Sequence, residues 1–136
     1  MDCVFCKIVN KEIPASIVYE NDNIIVFMDI QPISLGHCLV IPKKHFESIC
    51  DVPDILASEI MVKAKELAPK ITKAVDAEGF NFGVNTGSVA GQAVMHAHLH
   101  IIPRFKGDGL KHWPSAGLSA EEIKKARDKI VTFLKE

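Results

Sequence analysis

Val94-Met95-His96-Ala97-His98-Leu99-His100-Ile101-Ile102 sets three of the chain's six histidines at alternate positions, with small or apolar residues between them. In an extended segment, side chains alternate between faces. The three imidazoles would then share one face, and Ala97, Leu99 and Ile101 the other. A helix would scatter the same residues around its circumference. The alternation, the Leu and Ile content and Pro103 at the end favour a half-buried strand. At about 3.3 Å per residue the triple spans roughly 13 Å, so its outer members can meet different partners.

Working outward, Gly87 to Gly91 is a glycine-bearing loop entering this strand, and Phe80 to Thr86 alternates as a strand before it. Farther upstream, Ile17 to Glu20 and Ile24 to Asp29 read as strands joined by an Asn21-Asp22-Asn23 turn. His37 to Ile41 suits a buried strand stopped by Pro42. Cys3 to Asn10 is a short amphipathic start presenting Phe5, Ile8 and Val9, interrupted by Pro14. Pro53 opens a long helical period over Ile55 to Ala77, with Ile55, Ile60, Leu67, Ile71 and Val75 near one stripe. Pro69 removes a ladder bond and predicts a kink or break near Glu66. Ser119, with Glu122 three residues on, forms a capping box for a last helix ending near Leu134. The fold class is α+β: an antiparallel sheet of about five strands with a long helix and terminal helices.

Length and composition bound the function. The 136 residues suit one domain spanning 1–136, and 48% hydrophobic residues suffice for a core. A net charge of -1 argues against a polymeric nucleic acid held by phosphate neutralisation, yet leaves room for a single nucleotide. No apolar run is long enough to span a membrane. Asp2, Lys7 and Lys11 break up any signal-peptide pattern, so a cytoplasmic protein is expected. Cys3-x-x-Cys6 in such a chain reads as a metal or redox pair, with metal favoured because no thioredoxin-like context surrounds it. Cys38 and Cys50 lie singly in apolar surroundings and are expected to be buried, inert thiols.

Clustered imidazoles repel when protonated and are costly when unpaired, so the triple points to chemistry. Two readings stand at this level. The three rings could ligate zinc in a zinc-dependent hydrolase. Alternatively, the middle ring attacks as a nucleophile while its neighbours fix its tautomer and bind the charge it attacks. A non-catalytic nucleotide-binding module is a third outcome. The Gly87–Gln92 loop offers backbone donors for an anion. Asn85 and His37 add donors from other strands, and Asp29 could accept hydrogen bonds from a ribose diol.

These residues resemble the histidine triad (HIT) superfamily, whose motif alternates histidine with apolar residues as His96-Ala97-His98-Leu99-His100-Ile101-Ile102 does, followed by Pro103-Arg104. Phe5-Cys6-Lys7-Ile8, Ile13-Pro14, Val26-Phe27-Met28-Asp29-Ile30 and Gly36 to His45 extend the likeness over roughly the first hundred residues. Lys106 to Pro114 looks like the Hint-type branch.

The resemblance implies nucleotidyl chemistry. His98 would attack the α-phosphorus of a purine nucleotide conjugate, such as an adenosine phosphoramidate or a dinucleoside polyphosphate. The carbonyl of His96 would hold its tautomer, and His100, with His37 nearby, would attend the phosphate. Donors from Asn85, Gly91, Gln92 and Ala93 would stabilise developing charge. Asp29 would take the ribose, and Phe5, Ile8, Phe27 and Ile30 would form the base slot. Many Hint-type proteins carry serine where this chain has Ala93, so the leaving-group proton must come from His100, His37 or water. Cys3, Cys6, His45 and His96 would complete a structural Cys2His2 zinc site, with no organic cofactor. The Hint-type branch also implies a homodimer, with His112 and Trp113 near the active site and the two-fold partner.

Overall fold

The computed structural model describes residues 2–136. The order is helix α1 (Val4–Val9), strands β1 (Ile17–Glu20), β2 (Ile24–Met28) and β3 (Cys38–Pro42), helix α2 (Asp54–Ala74), strands β4 (Gly79–Gly83) and β5 (Leu99–Arg104), and helix α3 (Ala120–Leu134). All five strands form one antiparallel sheet in the order β1-β2-β3-β5-β4.

The two central hydrophobic runs are buried on both faces. Ile24 and Val26 of β2, Cys38 and Val40 of β3, and Leu99 and Ile101 of β5 pack against Ile60, Ala64 and Ala68 of α2. The alternate residues Ile25, Phe27, Leu39 and Ile41 turn the other way, onto Phe5 and Ile8 of α1. Small alanines on α2 let that helix lie close to the sheet. Ile55, expected on this stripe, is 78% exposed, and the helix buries a face defined by Ile60, Ala64 and Ala68 instead. The helix also runs unbroken through Pro69. The missing proline N–H falls in a long helix that is packed on the sheet, and this packing outweighs one lost bond.

The histidine segment departs from a simple strand. Only His100 belongs to β5; His96 and His98 precede it in an irregular stretch. The cause is local bonding. The Ala97 amide donates to the Phe46 carbonyl at 2.7 Å, and the His96 carbonyl accepts from the His98 ring at 2.7 Å. Both groups are therefore unavailable to a strand ladder. Ala97, Leu99 and Ile101 do face the core, as the alternation predicts. The expected strand to Thr86 ends at Gly83, and Pro103 lies inside β5 opposite Phe80.

Helix α3 begins at the expected Ser119–Glu122 capping box. Every residue from Gly109 to Glu136 is exposed. No helix among the described residues is long and apolar enough to cross a membrane.

Candidate functional site

The histidine segment joins two side-chain clusters lying on the α1 side of the sheet. Its first cluster forms where α1 meets the loop after β3. Cys3 caps α1, its Sγ accepting from the Cys6 amide. Cys3 Sγ lies 3.5 Å from His96 Nδ1, and Cys6 Sγ lies 3.4 Å from His45 Nδ1 and 3.6 Å from His96 Nδ1. His96, fully buried, donates from Nε2 to the Pro42 carbonyl at 2.8 Å, so its Nδ1 keeps a free lone pair toward the thiols. A tetrahedral zinc at about 2.3 Å from sulfur and about 2.0 Å from nitrogen sets neighbouring S and N ligands roughly 3.5 Å apart. The observed separations match, so this donor set fits zinc. Burial, reinforced by the adjacent Cys3, pushes the Cys6 thiol up; a bound dication would reverse that preference. Of the other thiols, Cys38 is buried and raised to about 11 by desolvation. Cys50 is exposed, against the sequence expectation, because it lies in a short surface turn, Ile49–Asp51.

His98 sits between the clusters. A carbonyl can only accept, so the 2.7 Å contact with the His96 oxygen places the His98 proton on Nδ1 and leaves Nε2 with its lone pair. The ring packs edge-on to Phe5 at 5.2 Å and to His100 at 4.9 Å between centroids.

The second cluster is built by the loop from Asp29 to His37. The Asp29 amide donates to the His37 carbonyl at 3.0 Å, and the Ser34 hydroxyl donates to the Pro103 carbonyl at 2.6 Å. Gly36 adopts φ +91°, and a Cβ there would meet Pro103 and Val75 at 3.1 Å. Glycine is required for His37 to enter β3 along this path. His37 Nε2 lies 2.9 Å from His100 Nδ1 and 3.7 Å from an Asp29 oxygen. Burial depresses both imidazoles, His100 to about 4, with the neighbouring histidines lowering it further.

A cavity of about 390 Å³ opens beside these rings, lined by His98, His100, Gly91 and Ala93. Its apolar wall is Phe5, Ile8 and Phe27, with Asp29 at the edge. Ile30 lines the same cavity at its rim and is 92% exposed. One Asp29 oxygen also accepts from the Gln31 amide, the turn role expected of an acid at a strand end.

Two further expectations change. Gln92 does not offer its amide to an anion. Its Nε2 donates to the Glu47 and Val94 carbonyls at 2.6 and 3.1 Å, and its Oε1 accepts from the Gly87 amide. It clamps the loop instead. Asn85 donates to the Gly91 carbonyl and lines a separate cavity of about 410 Å³, with His100, His112 and Trp113. The three-histidine metal site fails as well: the Nδ1 atoms of His96, His98 and His100 turn to the thiols, a carbonyl and His37, respectively. The structure thus adds Pro42, Phe46, Glu47 and Ile33 to the site. All four contribute backbone groups, for which side-chain identity gives no sequence signal.

A family model described as HIT domain matches residues 10–107. An adenosine 5'-monophosphoramidase of Schizosaccharomyces pombe is 40% identical over 137 residues, covering 99% of this chain and 100% of that protein. A crystal structure of a HIT family member from Bacillus subtilis superposes with TM-score 0.86 at 36% identity, covering 97% of this chain and 96% of that one. A zinc-bound histidine triad family protein from Mycobacterium smegmatis matches with TM-score 0.77 at 34% identity, over 99% and 96% of the two chains. By its motif, its sheet and these relatives, the chain belongs to the HIT family.

Proposed function

We propose that the protein is a nucleotide hydrolase or transferase that cleaves purine nucleotide conjugates at the α-phosphate through a covalent intermediate on His98. The observation that carries this reading is the 2.7 Å bond from His98 Nδ1 to the His96 carbonyl, which leaves Nε2 unprotonated at an apolar cavity. In the first step Nε2 forms a bond to phosphorus as the bond to the leaving group breaks, and the leaving group takes a proton. Water then attacks phosphorus, breaks the P–N bond and returns His98. Ala93 has no hydroxyl, so the leaving group takes its proton from water, while His100, beside His98, donates a hydrogen bond to the phosphoryl oxygens. Phe5, Ile8 and Phe27 supply a wall for a purine, and Asp29 an acceptor for ribose hydroxyls. The phosphoramidase relative supports an adenosine substrate.

The Cys3-Cys6-His45-His96 set holds a structural zinc in this reading, supported by its spacing and by the zinc-bound relative. With four protein ligands the metal ties α1 to the histidine segment and leaves the chemistry to His98. The protein works as a homodimer. Edge strand β4 carries half-exposed Phe80 and Phe82, and α3 carries exposed Ile123, Ile130 and Phe133 at heptad-like spacing, both surfaces suited to self-association.

The test is covalent trapping. Wild-type protein mixed with an adenosine phosphoramidate and denatured in mid-turnover carries an acid-labile AMP mass on the His98 peptide. His98→Ala carries none, and its turnover falls roughly 10⁴-fold or more. Turnover in wild type without any adduct, or tight AMP binding without turnover, refutes the proposal; the latter identifies a nucleotide-binding module.

A further inference from the structure

The proton inventory of the second cluster assigns a role to His37. The Ile33 amide donates to His37 Nδ1 at 3.0 Å, with the ring 1% exposed. A nitrogen accepting that bond carries no proton, so neutral His37 is protonated at Nε2. Nε2 lies 2.9 Å from His100 Nδ1, which must therefore be the acceptor. The remaining His100 nitrogen, Nε2, holds the ring's proton. We infer that His37 is a positioning residue: held by the Ile33 amide, it fixes His100 as the Nε2–H tautomer, a hydrogen-bond donor beside His98, and closes the Asp29-His37-His100 cluster to metal ions.

The inference rests on the proposed reading only for the use to which that donor is put, against phosphoryl oxygens or the leaving atom. The tautomer follows from the bonds themselves. Burial, which holds both rings below the usual histidine range, is consistent with two neutral imidazoles sharing one proton contact.

The exclusion of metal has the same origin. Ligating atoms of Asp29, His37 and His100 lie within 4.8 Å of one another, close enough for a cation. Ligation through His37 Nε2 requires a lone pair there, which moves the proton to Nδ1. That proton would then face the Ile33 N–H, donor against donor, inside a buried loop. Flipping the ring would instead break both the Ile33 and the His100 contacts.

Long-range proton–nitrogen correlation spectra of the ¹⁵N-labelled, zinc-loaded protein at neutral pH read the tautomers directly. The expected wild-type pattern is Nε2–H for both His37 and His100, with no substrate needed. In His37→Ala the His100 signals shift toward a tautomer average, and kcat falls about tenfold. That is less than the roughly hundredfold loss from removing a positioned hydrogen-bond donor, because His100 remains. His37→Gln, whose amide can still donate to His100 Nδ1, restores the Nε2–H pattern and most of kcat. Zinc beyond one equivalent leaves the His37 and His100 signals unmoved. A wild-type His100 protonated at Nδ1, a His37→Ala spectrum identical to wild type, or a second tight zinc that shifts both rings overturns the inference. A missing AMP adduct on His98 would overturn the nucleophile and leave these spectra as they are.

Discussion

The two ends of the histidine segment offer donor sets of similar compactness, and only one suits a metal. Ligand atoms lie within 4.8 Å of one another in both Cys3-Cys6-His45-His96 and Asp29-His37-His100. At the first end, the Pro42 carbonyl takes the His96 Nε2 proton and so frees Nδ1 for the thiols. At the second, the Ile33 amide occupies His37 Nδ1 and drives its proton onto the nitrogen facing His100. His98, between them, loses its Nδ1 to the His96 carbonyl and keeps Nε2 bare. For His96, His98 and His37, one backbone group bonded to the nitrogen remote from the action separates the proposed zinc ligand, the proposed nucleophile and the ring that orients His100. Proximity of ligand types alone does not identify a metal site.

The strongest way to break this comparison is to remove the metal end. Elemental analysis of protein purified without a metal-affinity tag is expected to give about one zinc per chain, lost in Cys3→Ser combined with Cys6→Ser. Tm then falls by about 10 °C or more, since a structural zinc contributes folding free energy outright. The kcat changes far less than in His98→Ala. KM rises, because α1 carries both the two thiols and the Phe5 and Ile8 wall. A wild-type chain with no zinc, or a double variant of unchanged Tm, would make the two clusters equivalent after all.

A smaller effect sharpens the same contrast. Gln92 spends its whole amide on Gly87, Glu47 and Val94, tying the segment's entry loop to the loop that carries His45. Gln92→Leu keeps the side-chain volume and leaves those backbone groups unpaired, with a loss of about 2–4 kcal/mol by denaturant unfolding. Zinc affinity weakens, while His37 and His100, anchored through β3 and β5, keep their tautomers. If Gln92→Leu left zinc affinity intact and altered the His100 spectrum, the loop would serve the catalytic end instead.

The fold was largely legible because its signals are local. Asn21-Asp22-Asn23 between two short apolar runs, Pro42 after a continuous one and Ser119 with Glu122 each predict an element that the structure contains. The partners proposed for zinc were accessible through family likeness alone, because His45 and His96 are far apart in sequence and meet through the β3–β5 pairing, with α1 bringing Cys6 to both. The tautomers were not legible. Nothing about the identity of Ile33 or Pro42 announces that their backbone groups bond imidazoles, since any residue supplies the same carbonyl, and any but proline the same amide. Gln92 misled for a related reason: a Gly-flanked amide next to three histidines reads as an anion donor, whereas the distant Glu47 carbonyl and the neighbouring Val94 carbonyl consume its hydrogens. Ile55 misled through helical phase, where alanines at 64 and 68 set the buried face.

The mildest test separates the two ends by acid. Burial lowers His100 to about 4 and lowers His37 as well, against an ordinary value of 6.5. A depressed folded value means that the unfolded chain binds protons first as pH falls. The stability these rings confer is complete above pH about 6.5 and is lost progressively as pH drops toward about 4. Tm of the intact protein is therefore expected to decline by several degrees between pH 7.5 and 5, with part of the fall due to protonation of the zinc ligands. Repeating the scan in the Cys3→Ser, Cys6→Ser protein removes that second part and leaves the slope of the buried imidazoles His37, His96 and His100. His100→Gln on that background keeps an amide donor and eliminates the titrating ring, so the remaining slope flattens toward what His37 and His96 alone produce. An unchanged slope in the triple variant would mean that His100 titrates near its ordinary 6.5 in the folded protein, and a steeper one that it is held protonated, making the second cluster a cationic phosphate clamp and no pair of neutral rings.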